Sequence, residues 1–414
     1  MDPPQNLSID YLDLLPDEIL LEILIKTDDL ETLSGWCRTS KRINNICQDE
    51  VLWKRKYQKY FGLSGNTVLT GGVTWQEKYK QMVAPGINSP IAAGDYSYGI
   101  IDQNGNLYMA GDKQLLGIEP QPQMKRISKK LHLVKFPQTF QGNNLISPKV
   151  VSISISTFIY EIAAAVTENG KAYIWGNPKS ALDGFQKDTK ITFLPREIIL
   201  PTKAVKIIVS SLGYIILLED SSVYLNIGGD NRWNFKGLLR IKAVDVSIGS
   251  ELYAIITKNG EVHVGGIRIY NVTSQNNNTT SSLKIPEPAR SVVVLGDSVM
   301  VLSITGKVYR WNLRSINGLQ SLDNLMKSAK MIKFLEPIVQ LSEGGGTFAA
   351  LSETGKLYMW GYNNQNKISG DQKRRYLEPV EISFGLPINY VSVGEKFTIA
   401  VTNDGMVNYW GIQY

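Results

Sequence analysis

Apolar and polar positions follow two regimes along the chain, and the change falls near residue 90. In "YLDLLPDEILLEILIKTDDLETLSGWCRTSKRINNICQDEVLWKRKYQKYF", apolar side chains recur at helical spacing. Ile19, Leu20, Ile23 and Leu24 follow Pro16, and Pro with Asp17 and Glu18 in a first turn is a helix-start signal. A second amphipathic helix is predicted from about Asp29, with Leu30, Leu33, Trp36 or Cys37, Ser40 and Ile43 on one side. A third, from about Gln48, carries Leu52, Trp53 and Tyr57. Val73–Met82 reads as one more helix and Ala84–Pro90 as a linker. Beyond it the helical period fades. Runs such as "EIAAAVT" (Glu161–Thr167), "YIILLE" (Tyr214–Glu219) and "YAIIT" (Tyr253–Thr257) are apolar almost throughout and bounded by turns. They predict strands buried on both faces.

These strands belong to a repeat. Its polar turns fall at Asn104-Gly105, Asn169-Gly170, Asp220-Ser221, Asn259-Gly260, Thr305-Gly306, Thr354-Gly355 and Asp404-Gly405, with steps of 65, 51, 39, 46, 49 and 50 residues. In four copies another Gly (Gly94, Gly249, Gly344, Gly394) stands eleven residues before the turn. Asn-Gly and Asp-Gly suit a tight two-residue hairpin turn with positive φ. Seven copies over 321 residues, about 46 each, predict a seven-bladed β-propeller in which each sheet is covered by its neighbours. The chain is therefore expected to be mainly β, with a small all-α module ahead of the ring. A ring repeat can stop mid-blade if another segment completes the last sheet, and Asn66–Gly72 is one candidate for that strand.

Neither Gly-His with Trp-Asp nor a regular double Gly recurs, which argues against the WD and kelch repeats. "GGGTFAALSETGKLYMWG" (Gly344–Gly361) and "GEKFTIAVTNDGMVNYWG" (Gly394–Gly411) instead resemble the regulator of chromosome condensation repeat; Gly94–Gly111 and Gly249–Gly265 do so less closely. The turn "GYNNQNKISG" (Gly361–Gly370) is similar to the one that follows Trp-Gly in that family. The resemblance covers roughly three quarters of the chain and bears on fold, not on function.

"LPDEILLEIL", then "SKR", then "LWKRKY" resembles an F-box. The resemblance implies docking on a Skp-type adaptor, and through it on cullin and RING subunits. Leu14, Pro16, Ile19, Leu20, Ile23, Leu24, Leu33, Leu52 and Trp53 match the family pattern and are the expected adaptor-binding residues, with Ser40 also matching. Thr39 and Ile43 depart from it, standing where Val and Trp are usual. The bland alternative is a plain helical cap on the ring. The domain reading is a flexible tail at 1–10, an F-box at 11–60, a helical linker at 61–90 and the propeller at 91–414.

Composition narrows the chemistry. Net charge is +6, spread along 414 residues, which permits attraction to acidic partners without arguing for nucleic acid. The two cysteines, Cys37 and Cys47, are too few for a disulfide framework and read as thiols of a reducing compartment. The start has no basic and apolar leader, and no apolar run reaches membrane-span length, so a soluble cytoplasmic or nuclear protein is expected, with no membrane partner. The Ile-, Asn- and Lys-rich composition admits a virus-infected host cell as the setting. There are only two histidines, and His263 takes a strand position where other copies have Tyr. No His/Cys cluster has metal-ligand spacing, and Gly-Lys pairs open strands where a phosphate loop would need a helix. No catalytic residue, metal or cofactor is expected. The basic stretch Gln123–Phe136 reads as a solvated loop or strand pair lengthening the first repeat, and Lys54–Tyr60 as the exposed side of a helix.

The expected function is that of a non-catalytic substrate receptor of a cullin–RING ubiquitin ligase, with an unidentified target protein on the propeller loops. Nucleotide exchange on a small GTPase and chromatin binding are the alternatives.

Overall fold

The computed structural model describes residues 15–27, 30–61, 74–83, 88–141, 144–157, 161–177, 191–228, 235–266, 280–296, 298–313, 329–371 and 373–412. The chain divides into two compact units, Met1–Val83 and Ala84–Tyr414.

The first unit is helical: α1 (Asp17–Lys26), α2 (Leu30–Cys37), α3 (Lys41–Gln48), α4 (Glu50–Phe61) and α5 (Trp75–Val83). α1 starts after Pro16, with Asp17 and Glu18 in its first turn and Lys26 in its last, each charge complementing the nearer helix end. The long second helix predicted from the apolar spacing is in fact two. Thr39 Oγ1 donates to Trp36 O at 2.7 Å, and Ser40 leaves helical geometry to cap α3 by accepting from Ile43 N at 3.2 Å. A hydroxyl that satisfies a free first-turn amide outcompetes continuation of the helix. The break brings Cys37 and Cys47 together with a Cα–Cα distance of 5.8 Å, and they form a disulfide where free thiols were expected. The segment 61–90, expected to link, contributes α5, which packs on α4 within the first unit.

The second unit is a succession of antiparallel meanders. Strands Ile91–Ala93, Tyr98–Ile101, Leu107–Asp112 and Ile127–Leu133 form the first, in sequence order. Among the described residues further meanders follow, starting at Val150, Ala204, Ala243, Ala289, Ile338 and Ile388. Second strands such as Ile162–Thr167, Gly213–Leu218 and Thr347–Ser352 are buried at every position, as predicted. The core lies between successive sheets. The last such layer, Ile91 and Ala93 against Phe397 and Ile399, joins the final meander to the first. These buried Leu, Ile and Val side chains are worth roughly 1.5–3 kcal/mol each.

Two irregular repeat steps have structural causes. The 39-residue step is short because Phe235–Ile248 runs unbroken from the third sheet into the fourth. The 65-residue step is long partly because the hairpin Thr139–Gln141/Asn144–Ile146 is inserted. The basic stretch Gln123–Phe136 is not itself the insert: it holds the regular fourth strand, with Lys129 and Lys130 exposed and Val134 and Phe136 buried.

The hairpin turns also differ from the expected two-residue form. Asp102 N donates to Asn106 O, Gly105 N to Asp102 O, and only Gly105 has positive φ, at 80°. This is a three-residue turn ending in a left-handed residue. In the third copy Ser221 takes that conformation itself, with φ 66°. The earlier Gly that four of the repeats carry has another cause. A Cβ on Gly344 would lie 2.3 Å from Val393 O, and one on Gly394 would lie 2.2 Å from Gly94 O. Adjacent first strands simply leave no room there.

The final sheet has three strands among the described residues: Ile388–Val393, Phe397–Thr402 and Val407–Gly411. Asn66–Gly72, the candidate for its fourth strand, lies outside them.

Candidate functional site

In the helical unit, α1 packs against α3 and α4, and α4 against α5. Lys56 of α4 is fully buried, its Nζ donating to Leu24 O at 3.0 Å, Ile25 O at 3.1 Å and Thr27 O at 2.6 Å. One ammonium thus satisfies three carbonyls at the end of α1, where the helix itself supplies no donors. The basic run expected to be solvated is largely consumed in this way. Arg55 pairs with Glu22 at 2.5 Å, Lys54 lies 5.7 Å from the Trp75 ring, and Lys56 lies 5.3 Å from that of Tyr79. Trp53 donates from Nε1 to Cys47 O at 2.6 Å and packs on Tyr79 at 5.7 Å. Arg42 ties α3 back to Asp17 Oδ1 at 2.7 Å and Leu15 O at 2.6 Å.

The nine residues expected to bind an adaptor therefore separate into groups. Leu20, Leu24, Leu33, Leu52 and Trp53 are all at most 2% exposed. Pro16 is exposed, Ile19 is 47% exposed and Ile23 is half-buried. Leu14 lies outside the described residues. Val51 on α4, which the sequence did not single out, is 50% exposed. Ile19 and Val51 each sit one turn ahead of a member of the Glu22–Arg55 pair. Ile43, at a position where Trp is usual, is buried, and Thr39 is exposed.

Residues 12–59 match the F-box-like family. The helical module is F-box-like. The F-box-like module and the ring that follows it have different relatives. No curated protein is significantly similar to the chain in sequence. Among solved structures, human WBSCR16 superposes with a TM-score of 0.63 at 14% identity, over 76% of this chain and 87% of that one. Prp20p from Saccharomyces cerevisiae gives 0.58 at 16%, over 83% and 85%. Yeast RCC1 (Prp20) bound to Kap60 gives 0.57 at 16%, over 84% of each. The likeness shows the fold: an RCC1-type propeller behind an F-box-like module.

In the propeller, side chains on the first strands join neighbouring sheets. Ser154, Ser247, Ser342 and Ser392 each accept, through Oγ, an amide from the next first strand: Val209, Val294, Val393 and Ala93, at 2.9–3.1 Å. The last of these closes the ring. Beside it Glu395 N donates to Gly94 O at 2.9 Å, and Lys396 pairs with Asp95 at 2.9 Å while lying 3.4 Å from the Tyr96 ring. Glu161 accepts from Tyr96 N, Ser97 N and Ser97 Oγ, and burial pushes its carboxyl up to about 7. Burial brings the Lys367 ammonium down to about 8, and it donates to Gly344 O and Gly394 O at 2.9 and 3.1 Å. The sequence did not reveal these residues, although a Ser two positions before the Gly of "VSVG" and "QLSEG" marks the linking position. His263 is half-buried beside Thr280 and Glu261, which suits a packing role. Among the described residues no group of three or more His, Cys, Asp or Glu could hold a metal, and no helix is long and apolar enough to cross a membrane.

Proposed function

We propose that the chain is the target-binding subunit of a Skp–cullin–F-box-type ubiquitin ligase. The F-box-like module docks a Skp-type adaptor, and the propeller holds a target protein. This chain contributes no covalent chemistry: it raises the local concentration of the target's lysines near the charged conjugating enzyme. The observation that carries the reading is the F-box-like match over 12–59 ahead of an RCC1-type ring. Exposed Pro16, Ile19 and Val51, with half-buried Ile23, supply apolar surface for the adaptor. Buried Leu20, Leu24, Leu33, Leu52 and Trp53 act by holding the helices that present it.

The propeller neighbour Prp20p is described with binding properties to Gsp1p and histones. At 16% identity that favours neither nucleotide exchange nor chromatin binding here. The test is capture of the purified chain on an immobilised Skp-type adaptor. Binding weakened about thirtyfold by Ile19→Asp, in a variant that still melts like the wild type, supports the proposal. A wild-type chain that does not bind the adaptor sinks it.

A further inference from the structure

The strand Val407–Gly411 forms the outer edge of the final sheet among the described residues. Thr402 N donates to Met406 O and Ile412 N to Lys396 O, so the alternation of the ladder turns the backbone groups of Asn408 and Trp410 inward, to Phe397–Thr402. Those of Val407 and Tyr409 point the other way, where no strand pairs with them among the described residues. The corresponding group in the first sheet is engaged: Val134 N donates to Leu107 O at 2.9 Å. Side chains mark the same gap. Val407 is 39% exposed, whereas Leu357, also two residues after its turn Gly, is 1% exposed. Met406 and Tyr409 are exposed as well.

The other sheets define what fits such an edge. Across from the residue that corresponds to Val407 stand Val134, Ile198, Leu283, Ile332 and Ile382, every one a branched aliphatic side chain. A lysine follows directly in three of these sheets, as Lys242 follows Ile241 in the third sheet. Lys242 shows what that lysine can do: its Nζ lies 2.9 Å from Oδ2 of Asp220, the first turn residue of its hairpin. Asp404 holds the same turn position in the final sheet. Its Oδ1 accepts from Thr402 Oγ1 and Met406 N, and the side chain is exposed with no cation paired to it among the described residues. Asn66–Gly72 contains neither lysine nor arginine, so it lacks the charge that this edge calls for.

We infer that the outer edge of Val407–Gly411 binds an extended segment of a partner protein as an added antiparallel strand. The segment carries a branched aliphatic residue opposite Val407 and, directly after it, a lysine that reaches Asp404. The inference rests on the reading of the propeller as a target holder and names the chemistry of the target segment. Main-chain bonds that continue the existing ladder supply affinity, and the aliphatic–lysine pair fixes register.

The test uses the full chain and a fluorescein-labelled synthetic peptide with the sequence of residues 235–244, FKGLLRIKAV, read by anisotropy. Val407→Pro removes an outward amide and leaves the bonds to Phe397–Thr402 in place, so it is expected to weaken binding about tenfold or more. Asp404→Asn keeps the acceptor that the turn uses and is expected to weaken binding about threefold. In hydrogen exchange, the amides of Val407 and Tyr409 should exchange rapidly in the free chain and slow when the peptide binds, while those of Asn408 and Trp410 are slow in both. Equal affinity of the wild type and both variants, or no peptide binding at all, overturns the inference. Slow exchange at Val407 and Tyr409 in the free chain also overturns it, since the edge would then be covered already. A dimer that Val407→Pro abolishes does the same, since the occupant would be a second copy. Should Val407→Pro fail to fold, the Asp404→Asn affinity and the exchange pattern still decide. Adaptor capture reads the helical module instead, so failure there is distinguishable from failure of peptide binding.

Discussion

Lys206 Nζ lies 2.5 Å from Asp245 Oδ1, and the other oxygen of that carboxylate accepts the amide of Val292 at 3.0 Å. Three successive first strands are joined through one buried carboxylate. Asp245→Ala would leave a buried ammonium and an orphaned amide, costing about 3–5 kcal/mol. Asp245→Asn, which can still accept from Val292, should cost less. Urea unfolding followed by tryptophan fluorescence ranks the two, and equal stability of Asp245→Ala and wild type would refute the account.

On α1, Ile19 and Leu24 predict opposite phenotypes. Ile19→Asp should leave the module folded, because Ile19 is half in solvent, and should weaken adaptor binding by about 2 kcal/mol, some thirtyfold. Leu24→Asp should instead unfold the helices, since Leu24 is 1% exposed. Adaptor affinity beside far-UV circular dichroism separates the two.

Lys56→Met removes the donor for three carbonyls while keeping most of the apolar stem. A loss of about 2–4 kcal/mol in the helical module is expected, since hydrogen bonds from a charged group are worth about 1.5–3 kcal/mol. The measurement is hydrogen exchange at the end of α1, which should speed up first at the amides around Thr27.

Glu161 sets a pH dependence. Its carboxyl rises from an ordinary 4.5 to about 7 on folding, so between those values the folded chain holds a proton that the unfolded chain has released. Stability from this group is therefore fully present below about pH 4.5 and declines as pH climbs towards about 7, by roughly 3 kcal/mol in all. Glu161→Gln should flatten that stretch of a melting-temperature profile. A profile of the same slope in variant and wild type would rule the effect out.

The legible parts of the sequence were those where one local rule had one outcome. Asn-Gly and Asp-Gly turns between apolar runs have few uses, so the hairpins and their repetition could be read directly, as could Pro16 opening α1. Elsewhere the same pattern served two outcomes. Leu33, Ser40 and Ile43 keep helical spacing across a break that a single hydroxyl creates. Leu20 and Leu24 read alike whether they pack inside the module or against a partner, because both roles ask for apolar residues one turn apart. Lys56, between other basic residues, looked solvated; only the convergence of α1 and α4 turns it inward. Lys206–Asp245 and the linking serines depend on contacts between strands tens of residues apart, which no window of sequence displays.

The strand Phe235–Ile248 gives the ring an uneven stiffness. Where one backbone serves two sheets, the neighbours cannot part without tearing a continuous ladder. The seam at Ser392 and Ala93 is held by side-chain links, packing and the bond from Glu395 N to Gly94 O, with no strand running across it among the described residues. Strain applied to the wheel should therefore open it at that seam, and the third and fourth sheets should come apart last.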